Sequence, residues 1–141
     1  MRKPNFFIIG APKCGTTSLY SWLSDHPNIY MSPIKEPHFY NTDMQYVRIR
    51  DRNDYERLFR GANENHIAVG EASVFYLFSQ VAVPRIENDR PGARYIVMVR
   101  NPIDMAYSLW EQQVFAGEEH ILDFEEAWRL SEERAVGRAV T

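Results

Sequence analysis

The run Asn5-Phe6-Phe7-Ile8-Ile9 ends at Gly10, and a second glycine follows at Gly15 after Ala11-Pro12-Lys13-Cys14. Four apolar residues in a row, without polar alternation, predict a strand buried on both faces, as in a parallel sheet. From Thr16 to Ser24 the pattern changes to a helical one, with Leu19, Tyr20, Trp22 and Leu23 as the apolar face and His26-Pro27 as the stop. A buried strand passing through a glycine-bounded loop into a helix is the opening unit of an α/β fold. It excludes all-helical and antiparallel architectures for this part of the chain.

The remaining pattern continues in the same style. Ile29-Tyr30-Met31 predicts a second strand, and Ser32 to Asn53, with Pro33 and Pro37, reads mostly as loop. A helix is expected over Asp54–Phe59, closed by Gly61, and a third strand over Ile67-Ala68-Val69, closed by Gly70. Gln80–Asn88 predicts a helix, Pro91-Gly92 a turn, and Tyr95-Ile96-Val97-Met98-Val99 the clearest buried strand. Pro102 suits the first turn of a helix running through Phe115 and stopped by Gly117, with another helix beginning near Asp123. Strands alternating with helices imply a P-loop-like parallel sheet flanked by helices, with right-handed crossovers. Phe124, Ala127, Trp128, Ala135, Val136 and Ala139 recur at helical spacing up to Thr141 without a stop signal, so the expectation is the N-terminal part of a longer domain.

Composition narrows the function classes. The chain has 141 residues, the size of one domain, and a net charge of −3. That balance argues against broad binding of nucleic acid or anionic membrane while allowing a local basic site. A single cysteine, Cys14, excludes an intramolecular disulfide framework and any multi-cysteine metal site. No apolar run approaches the eighteen or so residues of a membrane span, and no signal-peptide core is present. The expectation is a cytoplasmic protein.

The loop between Gly10 and Thr17 carries the first chemical signal. A strand–loop–helix junction aims backbone N–H groups and the positive end of the helix dipole at an anion, usually phosphate. The glycine spacing imitates a nucleoside-triphosphate P-loop, but Thr16 stands where that motif needs lysine, and the lysine lies inside the loop at Lys13. No magnesium-binding carboxylate follows a strand. A purely structural loop, a kinase or NTPase, and a non-catalytic nucleotide binder remain open on these residues alone.

The full run Pro12-Lys13-Cys14-Gly15-Thr16-Thr17 resembles the 5′-phosphosulfate-binding loop of sulfotransferases, with Cys14 at a variable position. The donor of that family is 3′-phosphoadenosine 5′-phosphosulfate. Arg100-Asn101-Pro102-Ile103-Asp104-Met105-Ala106-Tyr107-Ser108 resembles the second family signature, in which an arginine at a strand end and a serine eight residues later hold the donor's 3′-phosphate. Arginine offers a fork of donors to a dianion, and Ser108 falls two helical turns further on. An arginine at a strand end can equally be a surface ion-pair partner.

Lys35-Glu36-Pro37-His38-Phe39-Tyr40 is similar to the segment that carries a catalytic glutamate in glycan-type and many bacterial sulfotransferases. The resemblance makes Glu36 the base for the acceptor hydroxyl, with His38 as the alternative and a solvated loop carboxylate as the plain reading. Gly70-Glu71-Ala72-Ser73 resembles the strand end before the acceptor pocket. Ala72 stands where some branches carry histidine or lysine, which leaves Glu36 the better candidate. Phe75, Tyr76, Phe78, Trp110 and Trp128 could line a pocket or serve as packing. Cys14, beside a helix N-terminus and a lysine, is in a setting that lowers thiol pKa, but a direct transfer needs no nucleophile. His26, His66 and His120 lack metal-ligand spacing, so no metal is expected. The resemblance therefore implies transfer of a sulfuryl group from the nucleotide donor to an acceptor hydroxyl. It assigns donor contacts to Pro12, Lys13, Cys14, Gly15, Thr16, Thr17, Arg100 and Ser108, and leaves the acceptor unidentified.

Overall fold

The computed structural model describes residues 2–138. They divide into two compact units, one reaching Val99 and one starting at Arg100.

The first unit is built on four parallel strands: β1 (Phe6–Gly10), β2 (Ile29–Met31), β3 (Ala68–Ala72) and β4 (Arg94–Val97), in the order β2-β3-β1-β4. Every residue of β1 is buried, as expected of a strand with neighbours on both sides and helices over both faces. Successive side chains alternate between faces. Phe7 and Ile9 enter a core with Phe39, Tyr40, Tyr55, Phe59, Val69, Tyr76 and Ile86. Phe6 and Ile8 enter a second with Met31 and Ala72, covered by Leu19, Tyr20 and Leu23 of α1 (Thr16–Ser24). Helices α2 (Arg52–Arg57) and α3 (Ala82–Asp89) supply Tyr55 and Ile86 to the Phe7 face.

The parallel α/β sheet agrees with the sequence reading, and α1 and β2 have the expected bounds. Several details differ. Trp22, assigned to the apolar face of α1, is 71% exposed, because it lies roughly 100° round the helix from the middle of the Leu19–Tyr20–Leu23 face. β3 does not stop at Gly70 but runs to Ala72. Gly70 pairs with Phe6, whose ring would lie 2.2 Å from any Cβ there, so that glycine marks a close approach inside the strand. The apolar run Tyr95–Val99 is not the best-buried strand. β4 is an edge strand, and Val99 beyond it is 83% exposed. The expected Asp54–Phe59 helix begins earlier, because Asp51 caps Asn53 and Asp54 through its carboxylate. A 3-10 turn, Val74–Leu77, directly after β3 had no signal in the sequence pattern.

The second unit contains α4 (Pro102–Ala116), α5 (Phe124–Arg129) and α6 (Ser131–Ala135). The Asn101 side chain caps Ile103, Pro102 occupies the first turn, and Gly117 at φ 74° ends α4 in the left-handed conformation expected of a glycine C-cap. Tyr107, Trp110, Phe124 and Trp128 pack ring on ring, and Arg134 pairs with the buried carboxylate of Glu119. The helical periodicity expected through Ala139 is broken at Leu130, between α5 and α6, and Ala139 to Thr141 lie outside the described residues.

Candidate active site at the carboxyl edge of the sheet

In parallel sheets ligands bind at the carboxyl ends of the strands, where loops and helix N-termini converge. β1 and β3 are neighbours, so the loops leaving them share that edge.

The loop after β1 is held by Ala11 N–H donating to the Met98 carbonyl and Met98 N–H donating to the Gly10 carbonyl, at 2.9 and 2.8 Å. Gly10 has φ 154°, and a Cβ there would meet Leu77 at 2.9 Å, so both conformation and space demand glycine. Lys13 and Gly15 are also left-handed, at φ 60° and 82°. Gly15 is the N-cap of α1 and brings no capping side chain, and no acidic residue stands in the first turn. The first N–H groups of α1 therefore face the loop without a competing protein carboxylate, as an anion site requires. Thr16 is buried at the first helical position and Cys14 is buried and unpaired. The structure thus gathers Pro12, Lys13, Cys14, Gly15, Thr16 and Thr17 around one helix N-terminus.

The second component is the segment 36–40, and hydroxyls from beyond β3 fix it. Glu36 N–H donates to the Ala72 carbonyl at 2.7 Å. His38 N–H donates to Ser73 Oγ at 3.1 Å. Phe39 N–H and Tyr40 N–H both donate to the Tyr76 hydroxyl, at 3.0 and 3.3 Å. Glu36 and His38 take left-handed backbone conformations, φ 61° and 49°, uncommon for residues with a Cβ. Four anchored N–H groups over five residues explain how the segment keeps that conformation.

The conformation turns two side chains toward each other. His38 Nε2 lies 3.2 Å from Glu36 Oε2, and Lys35 Nζ pairs with Glu36 Oε1. The His38 hydrogen bond, then Lys35, hold the Glu36 carboxyl down to about 2, against a partly buried setting that would raise it. His38 is only 5% exposed, with Nδ1 sealed from solvent and without a partner. Its accessible chemistry is directed at Glu36.

Behind this loop Glu71 is fully buried, and neither carboxylate oxygen has a hydrogen bond of good geometry. Burial raises its pKa to about 8, and the Tyr76 and Ser73 hydroxyls nearby only partly offset that. Glu71 is therefore a neutral acid at pH 7. Ser73, Tyr76 and Lys35 as positioning groups escaped the sequence reading, because the hydroxyls act on backbone some 35 residues away. A cleft of about 520 Å³ lined by Thr42, Arg52, Gln80, Arg85 and Asp89 lies elsewhere and contains none of the expected site residues.

In the second unit Arg100 is exposed just before the Asn101 cap, and Ser108 is half-buried on α4. Among the described residues no group of three or more His, Cys, Asp or Glu could hold a metal ion, and no helix is long and apolar enough to cross a membrane.

Residues 3–137 match the sulfotransferase domain family. A crystal structure of a sulfotransferase from Alicyclobacillus acidocaldarius superposes with a TM-score of 0.86 at 41% identity, over 98% of this chain and 60% of that one. Human carbohydrate sulfotransferase 15 is 35% identical over 147 residues, which cover 74% of this chain and 26% of that protein. Human bifunctional heparan sulfate N-deacetylase/N-sulfotransferase 2 is 30% identical over 87% of this chain and 14% of its own length. The chain thus spans about a quarter or less of these curated relatives.

Proposed function

The chain belongs to the sulfotransferase domain family, and on that premise we propose that it transfers a sulfuryl group from 3′-phosphoadenosine 5′-phosphosulfate to a saccharide acceptor. The observation that carries this reading is the uncapped N-terminus of α1 with Lys13 in the loop before it, next to the strand whose end anchors Glu36. The names of two relatives, which refer to carbohydrate and heparan sulfate, support the acceptor class.

In this reading the acceptor oxygen attacks sulfur while the bond from sulfur to the phosphate oxygen breaks. Negative charge grows on the departing oxygen, where Lys13, the loop N–H groups and the Thr16 hydroxyl stabilise it. Pro12, Cys14 and Thr17 complete the loop around that phosphate. Glu36 takes the acceptor's proton. His38 is the weaker candidate because its ring is sealed on one side and turned to Glu36 on the other. A carboxylate held near 2 is a feeble base, so the acceptor must displace the Lys35 or His38 contact for Glu36 to act. Arg100 and Ser108 take the 3′-phosphate, a role supported by their motif.

The test is transfer of labelled sulfate from the nucleotide donor to a saccharide, with Lys13→Ala alongside. Lys13→Ala should lower transfer by roughly a hundredfold or more, the usual effect of losing one group that stabilises developing charge, while the protein stays folded. Undiminished transfer by a folded Lys13→Ala protein would exclude this mechanism.

A further inference from the structure

We propose that the exposed rings of Tyr46 and Phe78, both set against the half-buried Phe75, form a stacking platform for the sugar residues that flank the reacting group of an anionic saccharide acceptor. The proposal rests on the reading of Glu36 as the acceptor-side base.

The rings form a continuous path away from Glu36. The Phe75 ring lies nearly parallel to His38 at 5.3 Å and 28°, and to Tyr46 at 5.0 Å and 24°, with Phe78 tilted beside it at 6.3 Å. His38 in turn touches the Glu36 carboxylate. The outer rings are thus two ring-to-ring steps from the carboxylate, so they meet the neighbours of the reacting sugar and not the reacting hydroxyl.

Core packing accounts for the half-buried Phe75 but not for the two outer rings. Tyr40, Tyr55 and Tyr76 fill the core with no exposed surface, whereas Tyr46 is 60% and Phe78 56% exposed. Exposed aromatics gathered on one shared ring, as Tyr46 and Phe78 are on Phe75, mark a binding surface. The surface is also preorganised, which lowers the entropy lost on binding. The Asp43 carboxylate accepts hydrogen bonds from Ser79 Oγ and Gln80 N–H, at 2.6 and 2.9 Å, and so ties the Tyr46 loop to the end of the Phe75–Phe78 segment. The Asn41 side-chain amide donates to the Tyr46 carbonyl, and Ile49 N–H to the Pro37 carbonyl, at 3.0 Å each.

Charge selects the ligand. The exposed Arg48 donates to the Lys35 carbonyl, while Lys35 is paired with Glu36 and the Asp43 carboxylate is held by Ser79 and Gln80, so the Arg48 guanidinium is the cation beside the path that meets an anionic group. Two exposed rings beside a guanidinium suit a chain of apolar sugar faces bearing anionic groups. A lone phenol is better held in an enclosed slot.

The experiment is saturation-transfer NMR and affinity measurement on the full chain saturated with adenosine 3′,5′-bisphosphate. The probes are a heparan sulfate hexasaccharide, neutral maltohexaose and p-nitrophenol. The hexasaccharide should bind more tightly than maltohexaose. Tyr46→Ala and Phe78→Ala should each weaken it about three- to tenfold. Tyr46→Phe, which keeps the ring, should stay near wild type, and p-nitrophenol affinity should be the same in all variants. Unchanged hexasaccharide affinity in both alanine variants overturns the proposal. So does a loss that falls on p-nitrophenol or on the adenine nucleotide instead. If the nucleotide fails to bind wild-type protein, the sulfotransfer reading falls, and the same saccharide series without nucleotide still decides the platform.

Discussion

The hydroxyl of Tyr76 accepts the backbone N–H of Phe39 at 3.0 Å, and that of Tyr40 beside it, so one side chain beyond β3 holds the segment that presents Glu36 and His38. Tyr76 is completely buried, and no water can replace its oxygen without rearrangement. Tyr76→Phe would leave two buried donors without an acceptor.

Each such donor costs about 1–3 kcal/mol, so Tyr76→Phe should destabilise the chain by about 2 kcal/mol or more in urea titration. Its turnover should fall further than the loss of folded protein explains, with nucleotide affinity unchanged. A variant equally stable and equally active would mean that the segment holds its shape through Ser73 and Ala72 alone.

Glu36→Gln keeps the size of the side chain but cannot take a proton. Donor affinity should persist and turnover should drop by roughly a hundred- to ten-thousandfold. The sign of the pH effect follows from the carboxyl being held near 2, chiefly by His38. Wild-type Glu36 therefore stays ionised at weakly acidic and neutral pH and sets no acid limb near neutrality. In His38→Ala its pKa should rise toward the ordinary 4.5, and the acid limb of the rate profile should move up with it. A limb that does not move in His38→Ala would remove the histidine from control of Glu36.

Glu71 gives the opposite sign. Its folded pKa of about 8 exceeds the ordinary 4.5, so the native state holds the proton more tightly than the unfolded chain does. Its neutral form carries no penalty below pH 4.5, and stability is progressively lost as pH rises from 4.5 toward 8. Glu71→Gln mimics the neutral acid and should abolish that loss. Wild type and variant should unfold at similar urea concentrations at pH 5 and diverge, with the variant more stable, by on the order of a few kcal/mol at pH 8. Parallel curves at both pH values would place Glu71 in contact with water.

Arg100→Ala should weaken adenosine 3′,5′-bisphosphate by on the order of 2 kcal/mol, the worth of a charged pair to phosphate, and leave nucleotides without a 3′-phosphate nearly unaffected. Calorimetry with both ligands separates the cases. Equal losses would make Arg100 a support of the fold.

The loop after β1 was legible from sequence because it is local. The apolar run Phe6–Ile9, the glycines at 10 and 15 and the helix start at Thr16 lie within eleven consecutive residues, and backbone sterics dictate their arrangement wherever they occur. The same holds for the Asn101-Pro102 start and Gly117 end of α4. The Glu36 segment was legible only as a motif. That Glu36 is gripped by His38 and Lys35, and that Ser73 and Tyr76 hold its backbone, depends on β3 ending beside residues from another part of the chain. Periodicity reports which side chains prefer burial, not which strand lies at the edge, so Tyr95–Val99 read as central and is not. Only long-range pairing assigns strand positions, and with them the partners that draw the Glu36 carboxyl toward 2 and the burial that pushes Glu71 toward 8.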